Sequence, residues 1–146
     1  MPAGSSYTIT KGMLSDKIWN VDLNEDGIVD AYCFRVKNHF LHAVHPVGWI
    51  KKIVIETDGG KVDPSKAYFV LRGQWFHIPK LYTISEVFWN LCEEASIYVE
   101  YKDGLKTGKH TVKCTFIMSV LEDTRILDVH NKWPLRIETV ENVMEA

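Results

Sequence analysis

The sequence predicts an all-β fold, a single-domain antiparallel β-sandwich with at most one short helix. Three observations carry that expectation. Apolar residues recur mainly at every second position, turn signals separate the alternating runs at short intervals, and helical spacing shows only once.

The elements follow in chain order. Asn24-Glu25-Asp26-Gly27 marks the first turn. Residues 32–37 then alternate, with Tyr32, Phe34 and Val36 on one face and Cys33, Arg35 and Lys37 on the other. Residues 50–57 are rich in β-branched side chains and end at Asp58-Gly59-Gly60, a strong turn signal. Val62-Asp63-Pro64-Ser65 marks another turn. Residues 68–71 and 75–78 flank Arg72-Gly73-Gln74, which suits a tight hairpin. The one helix candidate is 85–91, with Ser85 as a cap and Val87, Phe88 and Leu91 at helical spacing. Ile97, Val99 and Tyr101 alternate against Ser96, Tyr98 and Glu100, and Asp103-Gly104 turns the chain. Residues 110–119 form the clearest strand. There Val112, Cys114, Phe116 and Met118 face one way, and only Ile117 departs from the alternation.

A chain of 146 residues is one domain's worth, so the domain is expected to span 1–146, with 1–15 and 141–146 mobile or docked on a partner. A hydrophobic content of 46% is enough for a core and argues against a disordered chain. Seventeen basic against nineteen acidic residues leave no excess to neutralise phosphates, so nucleic acid is not an expected partner. No apolar run is long enough to span a bilayer, and the N-terminus lacks the basic and apolar regions of a signal peptide. Cys33, Cys92 and Cys114 are odd in number and far apart, which suits thiols in a reducing compartment. A cytoplasmic location is therefore expected.

Asp22, Asn24, Asp26 and Asp30, with Gly27, occupy positions 1, 3, 5, 9 and 6 of a calcium-loop pattern. Position 12 is Cys33 where a bidentate Glu is required, and a strand rather than a helix follows. A solvated acidic turn is the favoured reading. His39, His42 and His45 recur at spacing three, which on a helix would align them for zinc. Their segment follows a strand and ends at Pro46, so loop or interface histidines are the expectation. No nucleophile elbow or phosphate loop is present, and adjacent acids such as Glu93-Glu94 point apart in extended structure. No catalytic, cofactor or metal residue is therefore assigned to this chain.

Five tryptophans, six tyrosines and six phenylalanines strain the core volume of so short a chain. Some of these rings are expected to form a partner surface or the wall of a pocket. The candidates are Trp49, Trp75, Phe76, Phe88 and Trp89, with His42 and His45 beside them.

The order of signals from about 27 to 121 resembles the β subunit of bacterial C-glycoside deglycosidases. The residues that carry the likeness are Cys33-Phe-Arg-Val-Lys37, Trp49-Ile50, Asp58-Gly59, Val62-Asp63-Pro64, Phe88-Trp89 and Glu94-Ala95. The turn Gly104-Leu105-Lys-Thr-Gly108-Lys-His110 completes it. Two segments depart from the family's pattern, 40–46 and 119–123. The resemblance implies a small β-sandwich that assembles with an α subunit similar to sugar-isomerase barrels. That partner would carry a divalent metal, manganese by the resemblance, and the catalytic base, and would bind most of the 3-oxo-C-glycoside substrate. The complex would act as a lyase on the carbon–carbon bond between sugar and a flavonoid or isoflavonoid aglycone. This chain would complete the pocket without catalysing the reaction. A carbohydrate-binding module with surface Trp49 or Trp75 is the alternative. A free-standing hydrolase using a carboxylate pair is a third reading.

Overall fold

A computed structural model describes residues 11–39, 44–119 and 135–146. Its strands are β1 (Trp19–Val21), β2 (Ala31–Lys37), β3 (Val44–Pro46), β4 (Ile50–Thr57), β5 (Gly60–Lys61) and β6 (Ala67–Leu71). They continue as β7 (Gln74–His77), β8 (Phe88–Asn90), β9 (Glu94–Glu100), β10 (Lys109–Ser119) and β11 (Leu135–Glu145). A five-stranded sheet has the order β1-β2-β9-β6-β7, and a four-stranded sheet the order β11-β10-β4-β5. β3 and β8 pair as a separate ribbon. All of these pairings are antiparallel.

The period of two in the sequence becomes one buried face per strand. Tyr32, Phe34, Val36, Phe69, Leu71, Ile97 and Val99 come from the five-stranded sheet. Ile53, Ile55, Val112, Cys114, Phe116, Met118, Val140 and Met144 come from the four-stranded one, and both sets join a single core. The sheets therefore pack face to face as a sandwich. Each large apolar side chain so buried contributes about 1.5–3 kcal/mol relative to exposure. At the floor between the sheets the Tyr32 hydroxyl lies 2.8 Å from Thr57 Oγ1, joining β2 to β4.

β4 buries both Ile50 and Ile53, a spacing of three that strict alternation forbids. The register explains it. Ile117 opposes Lys52 and Met118 opposes Ile50, so Lys51 is an extra residue in a β-bulge. Ile117, which departs from the alternation of β10, lies on the outer face opposite Ile137.

Two hairpins use the turn chemistry their sequences offer. Asp58-Gly59 joins β4 to β5 with φ of 52° and 82°, and Arg72-Gly73 joins β6 to β7 with φ of 47° and 78°. Two consecutive left-handed residues are what a two-residue turn needs to match strand twist. Gly48 serves a different need. Its N–H donates to the Ile84 carbonyl at 2.8 Å, and a Cβ there would lie 2.4 Å from that oxygen.

Several expectations are corrected. Residues 85–91 are not a helix, because 88–90 pair with β3 and the preceding chain is a 3-10 turn, Ile78–Thr83. Residues 141–146 lie at the end of the four-stranded sheet. Through Glu145 they belong to β11, paired along its length with β10. Glu138 and Asn142 fall on the core-facing side of that strand, so its apolar alternation is diluted. At the other end, residues 11–15 dock on β2. Met13 and Leu14 are buried, Lys37 N–H donates to Met13 O, and Ser15 N–H donates to Arg35 O. Cys33, placed by alternation on the face opposite Tyr32, is also buried.

Candidate functional site

Cross-strand register assembles one continuous row across the outer face of the five-stranded sheet. Trp19 opposes Cys33, Cys33 opposes Tyr98, Tyr98 opposes Tyr68, and Tyr68 opposes His77. The next row on the same face runs Arg35, Ser96, Val70, Trp75. Strands that are far apart in the chain thus place four aromatic rings and an imidazole side by side.

The rings touch. Trp75 packs on Tyr98 with centroids 4.4 Å apart, Tyr68 stacks on His77 at 5.2 Å, and Tyr68 meets Trp75 edge-on at 6.1 Å. Such pairs are worth about 0.5–1.5 kcal/mol each beyond area burial. The Arg35 guanidinium lies 4.8 Å over the Trp19 ring and reaches Glu94 at 3.3 Å. His77 is fixed by the Ser65 carbonyl, 2.7 Å from Nε2. Burial raises the Cys33 thiol and the Tyr98 phenol above their ordinary pKa values, so this face keeps both protonated. Trp75 remains 48% exposed and Trp19 38%. A ring surface held rigid yet open to water is what a partner's apolar side chains can cover at small entropic cost.

A cleft of about 940 Å³ opens at the end of the sandwich where β2 and β9 face β4 and β5. Tyr32 and Val99 line its inner part, and Tyr101, Ile28 and Leu105 its outer wall. Two clamps build that wall. Asn20 donates from Nδ2 to the Leu105 carbonyl at 2.8 Å and accepts from the Leu105 N–H at 2.9 Å. His110 sits between Asp58 Oδ2 and the Lys106 carbonyl. The carboxylates of the acidic turn are used locally. Asp30 accepts from Leu23 and Asn24 N–H, and Asp22 from Gly27 N–H. Among the described residues no group of three or more His, Cys, Asp or Glu is arranged to hold a metal ion.

Comparison with known protein families matches residues 11–121 to the family described as C-glycoside deglycosidase beta subunit. The chain belongs to that family. No curated protein gives a match to the sequence.

In this β subunit the residues that carried the resemblance have structural roles. Phe88-Trp89 divides between surface and core: Phe88 is exposed, while Trp89 is fully buried edge-on against Phe69 at 5.2 Å. Trp89 Nε1 donates to the Glu93 carbonyl, and buried Asn38 donates to the Trp89 carbonyl. Arg72 binds both oxygens of Glu93 and donates to the Phe88 carbonyl. Burial opposes the Glu93 charge, but the Arg72 guanidinium and the Asn90 N–H outweigh it and hold the carboxyl below its usual range. In the turn at 104–110, Gly104 has φ of 66° and Leu105 and His110 are the two clamped residues.

Of the surface candidates, Trp75 stands in the aromatic rows, Phe88 is exposed elsewhere, and Trp49 is half-buried in the 3-10 turn Val47–Trp49. One is corrected: Trp89 is core and offers no surface. Phe76 is half-buried on the inner side of β7 opposite Phe69. His42 lies outside the described residues. The backbone at His45 is strand rather than helix, and its side chain is outside the description. Trp19, Tyr68, His77 and Tyr98 are the ring neighbours that the sequence reading missed. Alternation places each on a strand face, but only the strand order brings those faces together.

Among the described residues no helix is long and apolar enough to cross a membrane.

Proposed function

We propose that this chain is the non-catalytic β subunit of a carbon–carbon lyase and docks on the metal-bearing α subunit through the aromatic rows of its outer sheet face. The observation that carries the reading is the family match over residues 11–121. Held aromatic rings in open view, and a net charge of only −2, support a surface that binds through apolar contact.

The proposed substrate is a 3-oxo-C-glycoside of the flavonoid or isoflavonoid type, bound mainly by an α subunit similar to sugar-isomerase barrels, in the bacterial cytoplasm. A ketone acidifies the neighbouring sugar C–H. Removal of that proton by a base on the partner, followed by loss of the aglycone carbon, is an elimination. The divalent metal, proposed as manganese and proposed to sit on the α subunit, would supply charge stabilisation to the ketone oxygen. This chain's share is to hold the partner's pocket loops and exclude water.

Size-exclusion chromatography of the co-expressed pair tests the docking surface. The wild-type chain is expected to co-elute with the α subunit, and the double variant Trp75→Ala/Tyr98→Ala to elute apart while remaining folded. Unchanged co-elution of the double variant would place the interface elsewhere.

A further inference from the structure

We infer that the cleft at the end of the sandwich is a binding site for a neutral polyhydroxylated ring, a pyranose or its simple glycoside. Its volume of about 940 Å³ lies within the range of small-molecule sites. The inference goes beyond docking, since the cleft lies between the sheet ends and is separate from the outer aromatic rows.

The chemistry of the walls selects the ligand. Tyr101 is 53% exposed and meets Tyr32 edge-to-face at 5.9 Å, so a flat apolar ring is fixed at the mouth. Such a ring is a surface that the C–H face of a sugar can cover. Deeper in, Tyr32 is only 2% exposed and its hydroxyl is paired with Thr57 Oγ1, so the Thr57 hydroxyl is the one this wall presents. Hydroxyls both donate and accept, as a polyol requires.

The rim carries charges of both signs in balance. Lys61, Lys66 and Lys102 stand against Asp30, Asp63 and Glu100, and the remaining acid, Asp58, is paired with His110. The side chains of the three lysines and Glu100 make no hydrogen bond or ion pair among the described residues, so donors and an acceptor are open to a ligand. A charged ligand would meet like charge on half of this rim. A neutral polyol meets only hydrogen-bonding partners. The wall is also built rather than incidental, since Asn20 fixes Leu105 through both of its backbone groups.

Amide-shift mapping by NMR on the full chain, with methyl β-D-glucopyranoside as the probe, tests the site. Perturbed amides are expected to cluster at 57–63 and 99–105. Saturation transfer to the sugar is expected to fall at least fivefold in Tyr101→Ala, to persist in Tyr101→Phe, and to persist in the distant surface variant Ile137→Ser. Glucuronate and glucosamine are expected to bind more weakly than the neutral glycoside. No transfer in the wild-type chain, perturbations centred on residues 68, 75 and 98, or preference for a charged sugar would each overturn the inference. The measurement needs no α subunit, so its failure is distinct from a failure of docking.

Discussion

His110 Nδ1 lies 2.6 Å from Asp58 Oδ2, across 52 residues of sequence, while His110 Nε2 lies 2.7 Å from the Lys106 carbonyl oxygen. Both ring nitrogens therefore face acceptors. A neutral imidazole has one N–H and the imidazolium has two, so the charged ring satisfies the site. Hydrogen bonding to Asp58, then to Lys106, raises the His110 pKa, and hydrogen bonding to His110 and to the Thr111 N–H lowers that of Asp58. The ring is a clamp between two turns, and its proton is committed.

A pH dependence follows. The histidine's folded pKa is raised, so its stabilisation is complete below about 6.5, the unfolded value, and is lost as pH rises through the folded value. The carboxyl's folded pKa is lowered, so its share is present above about 3.9 and is lost as pH falls through the folded value. Urea melts of wild type and Asp58→Asn should differ most between about pH 4 and 6.5, and the difference should narrow at alkaline pH. NMR titration should find the His110 midpoint above about 6.5 in wild type and lower in the variant. Equal midpoints would show that Asp58 does not hold the His110 proton.

Trp89 and Trp75 separate core from surface. Trp89→Ala empties a fully buried site and is expected to cost about 3–5 kcal/mol, read as the shift in urea midpoint. Trp75→Ala gives up the contacts to Tyr98 and Tyr68 and should cost less, about 1–3 kcal/mol.

Gly48→Ala should destabilise by about 1–3 kcal/mol, because the new methyl would press on the Ile84 carbonyl and force the two turns apart. Circular dichroism melts would register it as a lower midpoint.

Asn20→Ala removes both hydrogen bonds to Leu105 and should cost about 1–3 kcal/mol. Faster hydrogen exchange at the Leu105 amide, with unchanged exchange in β10, would show that the loss is local.

How far the sequence disclosed this molecule depends on the range of the interaction. The inward face of β10 and the turn at Asp58-Gly59 are written in adjacent residues, so periodicity and turn chemistry reveal them. The run at 85–91 misleads because Val87, Phe88 and Leu91 mimic a helix face, while pairing with β3 decides the outcome. In β11, Glu138 and Asn142 on the core-facing side dilute the pattern. The aromatic rows were out of reach for another reason. Tyr98, Tyr68 and Trp75 meet only because β9 lies beside β6 and β6 beside β7, and strand order is set by global packing.

The most direct test is reconstitution. The α subunit alone, this chain alone and the co-purified pair are each given a 3-oxo-C-glucoside, and release of the aglycone is followed. Cleavage is predicted for the pair, with the chain alone inactive and the α subunit alone much slower. Cleavage by this chain alone, or a rate for the α subunit that the chain does not change, would contradict its assignment as a non-catalytic completing subunit.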